Sequence, residues 1–94
     1  MNMTIQHIKL EKEISRKLII RQSARSLFEK IRNENLNNVI LDFTGVDFIS
    51  RSFAQEYIYQ RGDKNFEVIE ENMIPFIENM LNVVEKDYIA LKTP

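Results

Sequence analysis

The chain has 94 residues, of which 44% are hydrophobic and 29% charged, the size and composition of one globular domain. Lys and Arg number 13 against 14 Asp and Glu, and a formal charge of −1 argues against the strongly basic surface of a nucleic-acid-binding domain. The sequence contains no cysteine and one histidine, which excludes disulfides, thiolate chemistry and a multi-histidine metal centre.

No targeting or membrane-spanning segment is visible in the sequence. The N-terminal residues interleave charged and apolar side chains, unlike a signal peptide. The longest apolar runs, such as Leu18–Ile20 and Val39–Leu41, fall far below the ~20 residues that span a bilayer. We therefore expect a single cytoplasmic domain over residues 1–94, without a membrane or nucleic-acid partner.

Alternating apolar residues predict a first strand over Met3–Leu10, with a β-bulge at Gln6–His7 where the alternation slips. The charged residues 11–17 predict a turn or a second short strand around Ile14. We expect Leu18–Ile20 to enter the core.

Apolar residues at helical spacing predict a helix over Gln22–Arg32, with Ser23 as its N-cap. An asparagine-rich loop over residues 33–38 follows, since asparagine bonds its own backbone and tolerates positive φ. The predicted buried stripe of this helix comprises Ala24, Leu27, Phe28 and Ile31.

Val39–Phe43 is the clearest strand, because its nearly continuous apolar run is typical of a strand covered on both faces. A turn at Thr44–Asp47 leads to the apolar pair Phe48–Ile49. Serine at Ser50 and Ser52 is a favoured N-cap, and a helix is predicted from there to about Gln60.

A short strand is predicted over Phe66–Ile69, and Asn72 is predicted to open the last helix, with Pro75 in its first turn. Apolar residues keep helical spacing as far as Val84. Residues 85–94 show no clear period and are predicted to form a tail that docks on the body or on a partner.

The alternation of strands and helices predicts an α/β sandwich with a mixed, mostly parallel sheet of about four strands and about three helices. The exposed edges of so small a sheet favour a homodimer, through the N-terminal strand or the apolar segment Tyr88–Leu91.

Three short motifs follow one another between residues 14 and 84. They are an Arg-x-x-Ala-Arg helix start (Arg21, Ala24, Arg25), a strand that ends in Asp-Phe (Asp42, Phe43) and a Ser-Phe-Ala helix start followed by a carboxylate (Ser52, Phe53, Ala54, Glu56). With the surrounding segment Val39–Arg61, they resemble the STAS domain, the fold of anti-sigma-factor antagonists and of sulfate-transporter tails. Within that group, the segment is most similar to a STAS-like family of small bacterial and archaeal proteins.

The resemblance implies a STAS-like fold and a regulatory, non-enzymatic module that binds another protein, such as a histidine-kinase-like ATPase or another regulator. Anti-sigma-factor antagonists typically carry Asp-Ser-Ser-Gly at this helix start, and a kinase phosphorylates the first serine. Placed on this sequence, the motif falls on Ser50–Phe53, so that Arg51 occupies the phosphoacceptor position and Ser52 matches the second serine.

We expect the partner to dock on the loop and helix start at Val46–Glu56. A helix start favours an anion or a phosphate, and an arginine suits bidentate contact with phosphate. Ser50 or Ser52 could therefore be phosphorylated and stabilised by Arg51, or Arg51 could recognise an acidic partner or phosphate without modification. The structural alternative is an ordinary serine N-cap beside a solvated arginine. The predicted partner-binding residues are Asp47, Ser50, Arg51, Ser52, Gln55 and Glu56.

An alternative reading is a small nucleotide- or anion-binding domain, or a weak enzyme, that uses Asp42, Asp47 and Arg51, because ligands gather at the carboxyl ends of strands in α/β sheets. A third reading places nucleic acid on the arginines around the first helix, although Glu29 and Glu34 dilute that charge. No residue pattern indicates a catalytic set, a metal site or a cofactor.

Overall fold

A computed structural model describes residues 5–63 and 65–92, apart from the side chain of residue 92. Its secondary-structure elements are, in chain order, β1 (Ile5–Lys9), α1 (Leu10–Glu13), β2 (Lys17–Leu18), α2 (Arg21–Asn33), β3 (Asn38–Asp42), β4 (Phe48–Ile49), α3 (Arg51–Arg61), β5 (Glu67–Glu71) and α4 (Pro75–Lys92). The Cα radius of gyration is 13.1 Å, close to the ~13 Å expected of a compact domain of this length.

The strands form two parallel sheets. In the larger one the order is β1-β3-β5, and the register runs unbroken from the row of Ile5, Asn38 and Glu67 to the row of Lys9, Asp42 and Glu71. The smaller sheet pairs β2 with β4. The α/β class and the parallel pairing are confirmed. The prediction of one sheet with about four strands was wrong, because β2 and β4 pair with each other and not with the edges of the larger sheet.

The inner face of the larger sheet carries the core. Val39 and Leu41 of β3 are completely buried. On the helical side, Tyr57 of α3 makes edge-to-face contacts with Phe28 at 5.6 Å and with Phe43 at 6.1 Å between ring centroids. Aromatic pairs in such a geometry add about 0.5–1.5 kcal/mol beyond their buried area. These rings bring α2, α3 and the end of β3 together.

The buried stripe of α2 is confirmed, but its predicted cap was wrong. The helix begins at Arg21, and its N-cap is Ile20, whose side chain makes no capping hydrogen bond. Ser23 already lies in the first turn and donates its backbone N–H to the Ile20 carbonyl at 2.9 Å. The helix can begin one residue earlier than predicted and without a side-chain cap because its face packs against α3, and tertiary packing outweighs the missing cap.

The N-terminal segment differs from its prediction in two ways. The pairing of β1 with β3 contains no bulge, because Ile5 and Ile8 simply lie on opposite faces, with Ile5 52% exposed and Ile8 buried. A short helix, α1, replaces the predicted turn or strand and buries Leu10. Residues 3 and 4 of the predicted strand lie outside the described part of the chain.

Of the predicted core segment Leu18–Ile20, only Leu18 is buried. The chain leaves β2 at Leu18 and turns directly into α2, so Ile19 and Ile20 point outward with 49% and 64% exposure. The prediction that all three residues enter the core was wrong.

The last helix begins later and ends later than predicted. Asn72 adopts a positive φ of 62° and does not open the helix. The first carbonyl of α4 comes from Ile74, which accepts hydrogen bonds from the N–H groups of Ile77 and Glu78. The helix then continues to Lys92, so the segment from residue 85 is helical and not an irregular tail. Residues 93 and 94 of the predicted tail lie outside the described residues.

Candidate functional site

The starts of α2 and α3 lie side by side. Their preceding strands, β2 and β4, pair in parallel, and each strand runs almost directly into its helix. Two hydrogen bonds join the segment before α3 to the segment before α2. The N–H of Ser50 donates to the Leu18 carbonyl at 2.8 Å, and the Ser50 hydroxyl donates to the Ile19 carbonyl at 2.6 Å. The predicted docking segment is therefore built against the chain that enters α2.

The two serines of this segment have different surroundings. Of the two serines predicted as possible N-caps, Ser50 is the one that caps α3, since its Oγ accepts a hydrogen bond from the Phe53 N–H at 3.0 Å. Its hydroxyl is thus engaged as donor and as acceptor. Ser52 is exposed in the first turn, and its hydroxyl has no hydrogen-bond partner among the described residues. Of the two serines, Ser52 is the one that a modifying enzyme could reach without breaking the cap.

Arg51 reaches away from its own helix and towards α4. Its Nη2 lies 2.7 Å from Oδ2 of Asp87, and both side chains are about half exposed. Surface ion pairs of this kind contribute about 0–1 kcal/mol. The pair therefore positions two charges at the surface more than it stabilises the fold.

Asp47 anchors the turn before β4. Its carboxylate lies 3.1 Å from Nη2 of Arg16 and 3.2 Å from Nζ of Lys17. The hydrogen bond from Lys17, with the charges of both cations, lowers the pKa of Asp47 although partial burial opposes this. Asp47 thus stays ionised and ties its turn to β2.

Glu56 lies inside the molecule, although it was predicted as part of the docking surface. Its side chain is 7% exposed and faces α2, where Oε1 lies 3.5 Å from both Arg21 and Arg25. Gln60 donates a hydrogen bond to Oε2 at 2.6 Å. Burial opposes the charge of Glu56, but the hydrogen bonds from Gln60 and Arg25 outweigh it and lower the pKa. A partner would meet the two arginines here and not the carboxylate.

The Arg-x-x-Ala-Arg motif explains this contact. Arg21 and Arg25 are one turn apart on α2, so both guanidinium groups reach the same carboxylate of α3. Ala24 and Ala54 are completely buried, which lets the two helices approach closely. The motif residues Arg21, Arg25 and Glu56, which lie far apart in the sequence, meet in one cluster.

A surface groove runs between the first half of α3 and the second half of α4. Its volume is about 290 Å³. Leu91, at one end of it, is 88% exposed. Arg51 and Gln55 were predicted as partner-binding residues, and Val84 was predicted only as part of the apolar stripe of the last helix. Asp87, Tyr88 and Leu91 were not assigned to this surface, because residues 85–94 were predicted to be a tail. The lining residues are Arg51, Gln55, Val84, Asp87, Tyr88 and Leu91. We call this feature the α3–α4 groove.

The three residues of the alternative anion-binding reading belong to separate networks. Asp47 pairs with the chain before β2, and Arg51 pairs with α4. Asp42, at the end of β3, accepts hydrogen bonds from the Thr44 N–H at 2.9 Å and from Asn72 Nδ2 at 3.0 Å. Within the described residues, no three His, Cys, Asp or Glu side chains are grouped as metal ligands.

These features define a small α/β domain with a helix-lined surface groove. The chain matches no family model, no curated protein and no solved structure. Among the helices of residues 5–63 and 65–92, none is both long enough and apolar enough to cross a bilayer.

Proposed function

We propose that this chain is a non-enzymatic, regulatory protein-interaction module of the STAS-like kind, and that it binds a partner protein at the α3–α4 groove. The groove carries this proposal, because it combines an apolar wall, formed by Val84, Tyr88 and Leu91, with a polar wall that contains Arg51. Tyrosine and arginine are enriched among the residues that dominate binding at protein interfaces.

The surface next to the groove extends it. Arg21, at the start of α2, donates a hydrogen bond to Gln55 Oε1 at 2.9 Å, so the exposed Ile19 and Ile20 lie beside the start of α3. Apolar side chains clustered around a few polar groups are typical of the centre of a binding patch. A partner with an amphipathic helix, whose apolar face covers Leu91 and Ile20, would fit this surface.

A phosphate on Ser52 would act on the same groove. Ser52 is in the first turn of α3, where the helix dipole favours a phosphate. The phosphate and the Asp87 carboxylate would then compete for the guanidinium group of the neighbouring Arg51. Because phosphate accepts bidentate hydrogen bonds from arginine, it would draw Arg51 away from Asp87 and change the polar wall of the groove.

The test is affinity capture of the tagged protein from extracts of its source organism, with identification of bound proteins by mass spectrometry. Arg51→Glu and Leu91→Glu alter the two walls of the groove, and both positions are exposed enough for the fold to survive. Lys12→Glu, an equal charge reversal on the exposed surface of α1, is the matched control. The same digests report whether Ser50 or Ser52 carries a phosphate.

We expect a partner that binds the unaltered chain and Lys12→Glu and that is lost with Arg51→Glu and with Leu91→Glu. If all four proteins capture the same set, the groove is not the docking site. If a phosphate is found on Ser50 and not on Ser52, the proposed effect on Arg51 is wrong, although docking at the groove can still hold.

A further inference from the structure

Most of the outer face of the larger sheet is exposed or partly exposed to solvent, and only Asp42, at one end of it, is buried. Ile5, at one end of β1, is 52% exposed, and Ile69, in the middle of β5, is 40% exposed. Parallel sheets are normally covered on both faces. The side chains of this outer face are those of Ile5, His7, Lys9, Asn38, Ile40, Asp42, Glu67, Ile69 and Glu71.

The outer face has an apolar middle and edges of opposite charge. Ile40 and Ile69 lie next to each other in the register, in the central row. Lys9 is on the β1 edge, and Glu67 and Glu71 are on the β5 edge. Among the residues that the structure describes, Lys9 has no ion-pair partner, and the only cationic group near the Glu71 carboxylate is His7, whose Nε2 lies 3.9 Å from Oε1. Both charges are therefore available to another molecule.

We propose that this face binds the same face of a second copy of the chain, around a two-fold axis parallel to β3. That axis places β1 of one copy over β5 of the other. Lys9 then faces Glu71 of the partner subunit, and the reciprocal contact follows from symmetry. Ile40, on the central strand, lies next to the axis and buries its exposed surface there. Asp42 of each copy also comes near the axis, but this carboxylate is 7% exposed and hydrogen-bonded within its own chain, so the contacts of Lys9 with Glu71 decide how the charges pair.

The charge pattern selects this axis over the other possible one. A two-fold axis perpendicular to the strands would place β5 over β5, so that the acidic edges of the two copies would face each other. Like charges set against each other across an interface are strongly unfavourable. The axis parallel to β3 brings opposite charges together on both edges.

The face is small compared with the interfaces of stable dimers. Three strands of five residues cover roughly 14 by 17 Å, or about 240 Å², whereas a standard interface buries about 800 Å² on each partner. The dimer is therefore weak and forms reversibly at high protein concentration. It uses the side of the sheet opposite to α2 and α3, so it does not depend on the proposed function.

The experiment is sedimentation velocity of the full chain from about 10 µM to about 1 mM, the range in which a small interface still associates. Glu71→Lys and Lys9→Glu are measured alone and together. Glu29→Lys, on the exposed surface of α2, is the matched control for charge. Circular dichroism checks that each variant is folded, and the exposed Ile69→Lys replaces any charge variant that is not.

We expect a monomer–dimer equilibrium for the unaltered chain and for Glu29→Lys. Each single charge reversal weakens the dimer by about tenfold, and the double variant recovers most of the loss. Ile69→Lys weakens the dimer as well. A chain that stays monomeric at 1 mM overturns the proposal. Single variants that leave the dimer unchanged place it on another surface, and a Glu71→Lys variant that strengthens the dimer requires the perpendicular axis; both results overturn it too.

Discussion

Asp42 shows how a single carboxylate can be held by neutral donors. The hydroxyl of Thr44 lies 2.6 Å from Oδ1, and Asn72 and the Thr44 N–H donate to the same oxygen. These bonds, first that of the Thr44 hydroxyl and then that of Asn72, hold the pKa of Asp42 well below its usual value. His7 Nε2 lies 3.4 Å from the other oxygen. Asp42 thus joins the ends of β1, β3 and β5.

Replacing the Asn72 side chain should raise the pKa of Asp42. Asn72→Gly removes one donor, and glycine accepts the positive φ at this position. A carboxyl with a lowered pKa in the folded state stabilises the fold above its unfolded pKa of about 3.9, and this contribution is lost as the pH falls through the folded pKa. As the pH falls from neutral to below about 4, the free energy of unfolding of the variant should therefore decrease by less than that of the unaltered chain.

The measurement is the carboxyl titration of Asp42 by NMR, with urea unfolding at neutral and acid pH. Asn35→Gly is the control, because Asn35 also has a positive φ of 53° and makes no bond to Asp42. An unchanged titration of Asp42 in Asn72→Gly would contradict the assigned role of Asn72.

Glu56 should be important for stability. Glu56→Ala leaves Arg21 and Arg25 without their carboxylate partner and removes the acceptor of Gln60, and hydrogen bonds to charged groups contribute about 1.5–3 kcal/mol each. We expect a loss of about 1–3 kcal/mol in the free energy of unfolding, since both arginines retain access to water. Glu29→Ala, at an exposed site on α2, should change it by less than about 0.5 kcal/mol in the same urea titration. Equal losses for the two variants would show that the cluster stabilises nothing.

At the scale of elements, the turn between β3 and β4 depends on Gly45. Its φ of +83° is strained for any other residue, and an added Cβ would collide with the Glu11 carboxylate. The Glu11 side chain can move aside, so the backbone sets the cost. Gly45→Ala should lower the free energy of unfolding by about 1–2 kcal/mol.

Gly62 provides the matched control for that substitution. It closes α3 with φ −71°, a conformation that alanine adopts readily, although its Cβ would lie 3.3 Å from the Tyr59 carbonyl. Thermal unfolding of Gly62→Ala should therefore stay close to that of the unaltered chain. A similar loss at both glycines would mean that backbone conformation is not the cause.

The elements differ in how well they could be predicted from the sequence. The stripe of α2 and the N-cap of α3 depend on local spacing and local hydrogen bonds, and both are confirmed. Strand partners are not local, so the separate pairing of β2 with β4 could not be predicted. The last turns of α4 could have been, because Val84, Tyr88 and Leu91 continue the spacing of Ile77 and Leu81.

In the candidate site, too, the local features could be predicted from the sequence and the non-local ones could not. Arg51 and Gln55 were predicted because they lie at a recognisable helix start. The burial of Glu56 depends on two arginines from another helix, and the apolar wall depends on the path of α4. Both are properties of the packed molecule. The docking role of the site and the STAS-like resemblance stay predictions.

At the scale of the whole molecule, β3 is the central strand of the larger sheet. It is hydrogen-bonded to β1 on one side and to β5 on the other, whereas each of those has one edge without a strand neighbour among the described residues. Val39–Leu41 should therefore show the slowest amide hydrogen exchange of the larger sheet, followed by the amides of β1 and β5 that point to β3. Exchange of β3 as fast as that of the outward-pointing amides of β1 would contradict this order.

The central place of β3 also has a consequence for synthesis on the ribosome. The chain that has emerged as far as β3 and β4 can already pair β3 with β1, but the opposite edge of β3 has no partner until β5 follows. An unpaired parallel strand edge is a site for contacts between nascent chains. A nascent chain that is held with α3 outside the ribosome and β5 still inside it should therefore aggregate more readily than a chain from which β5 has emerged.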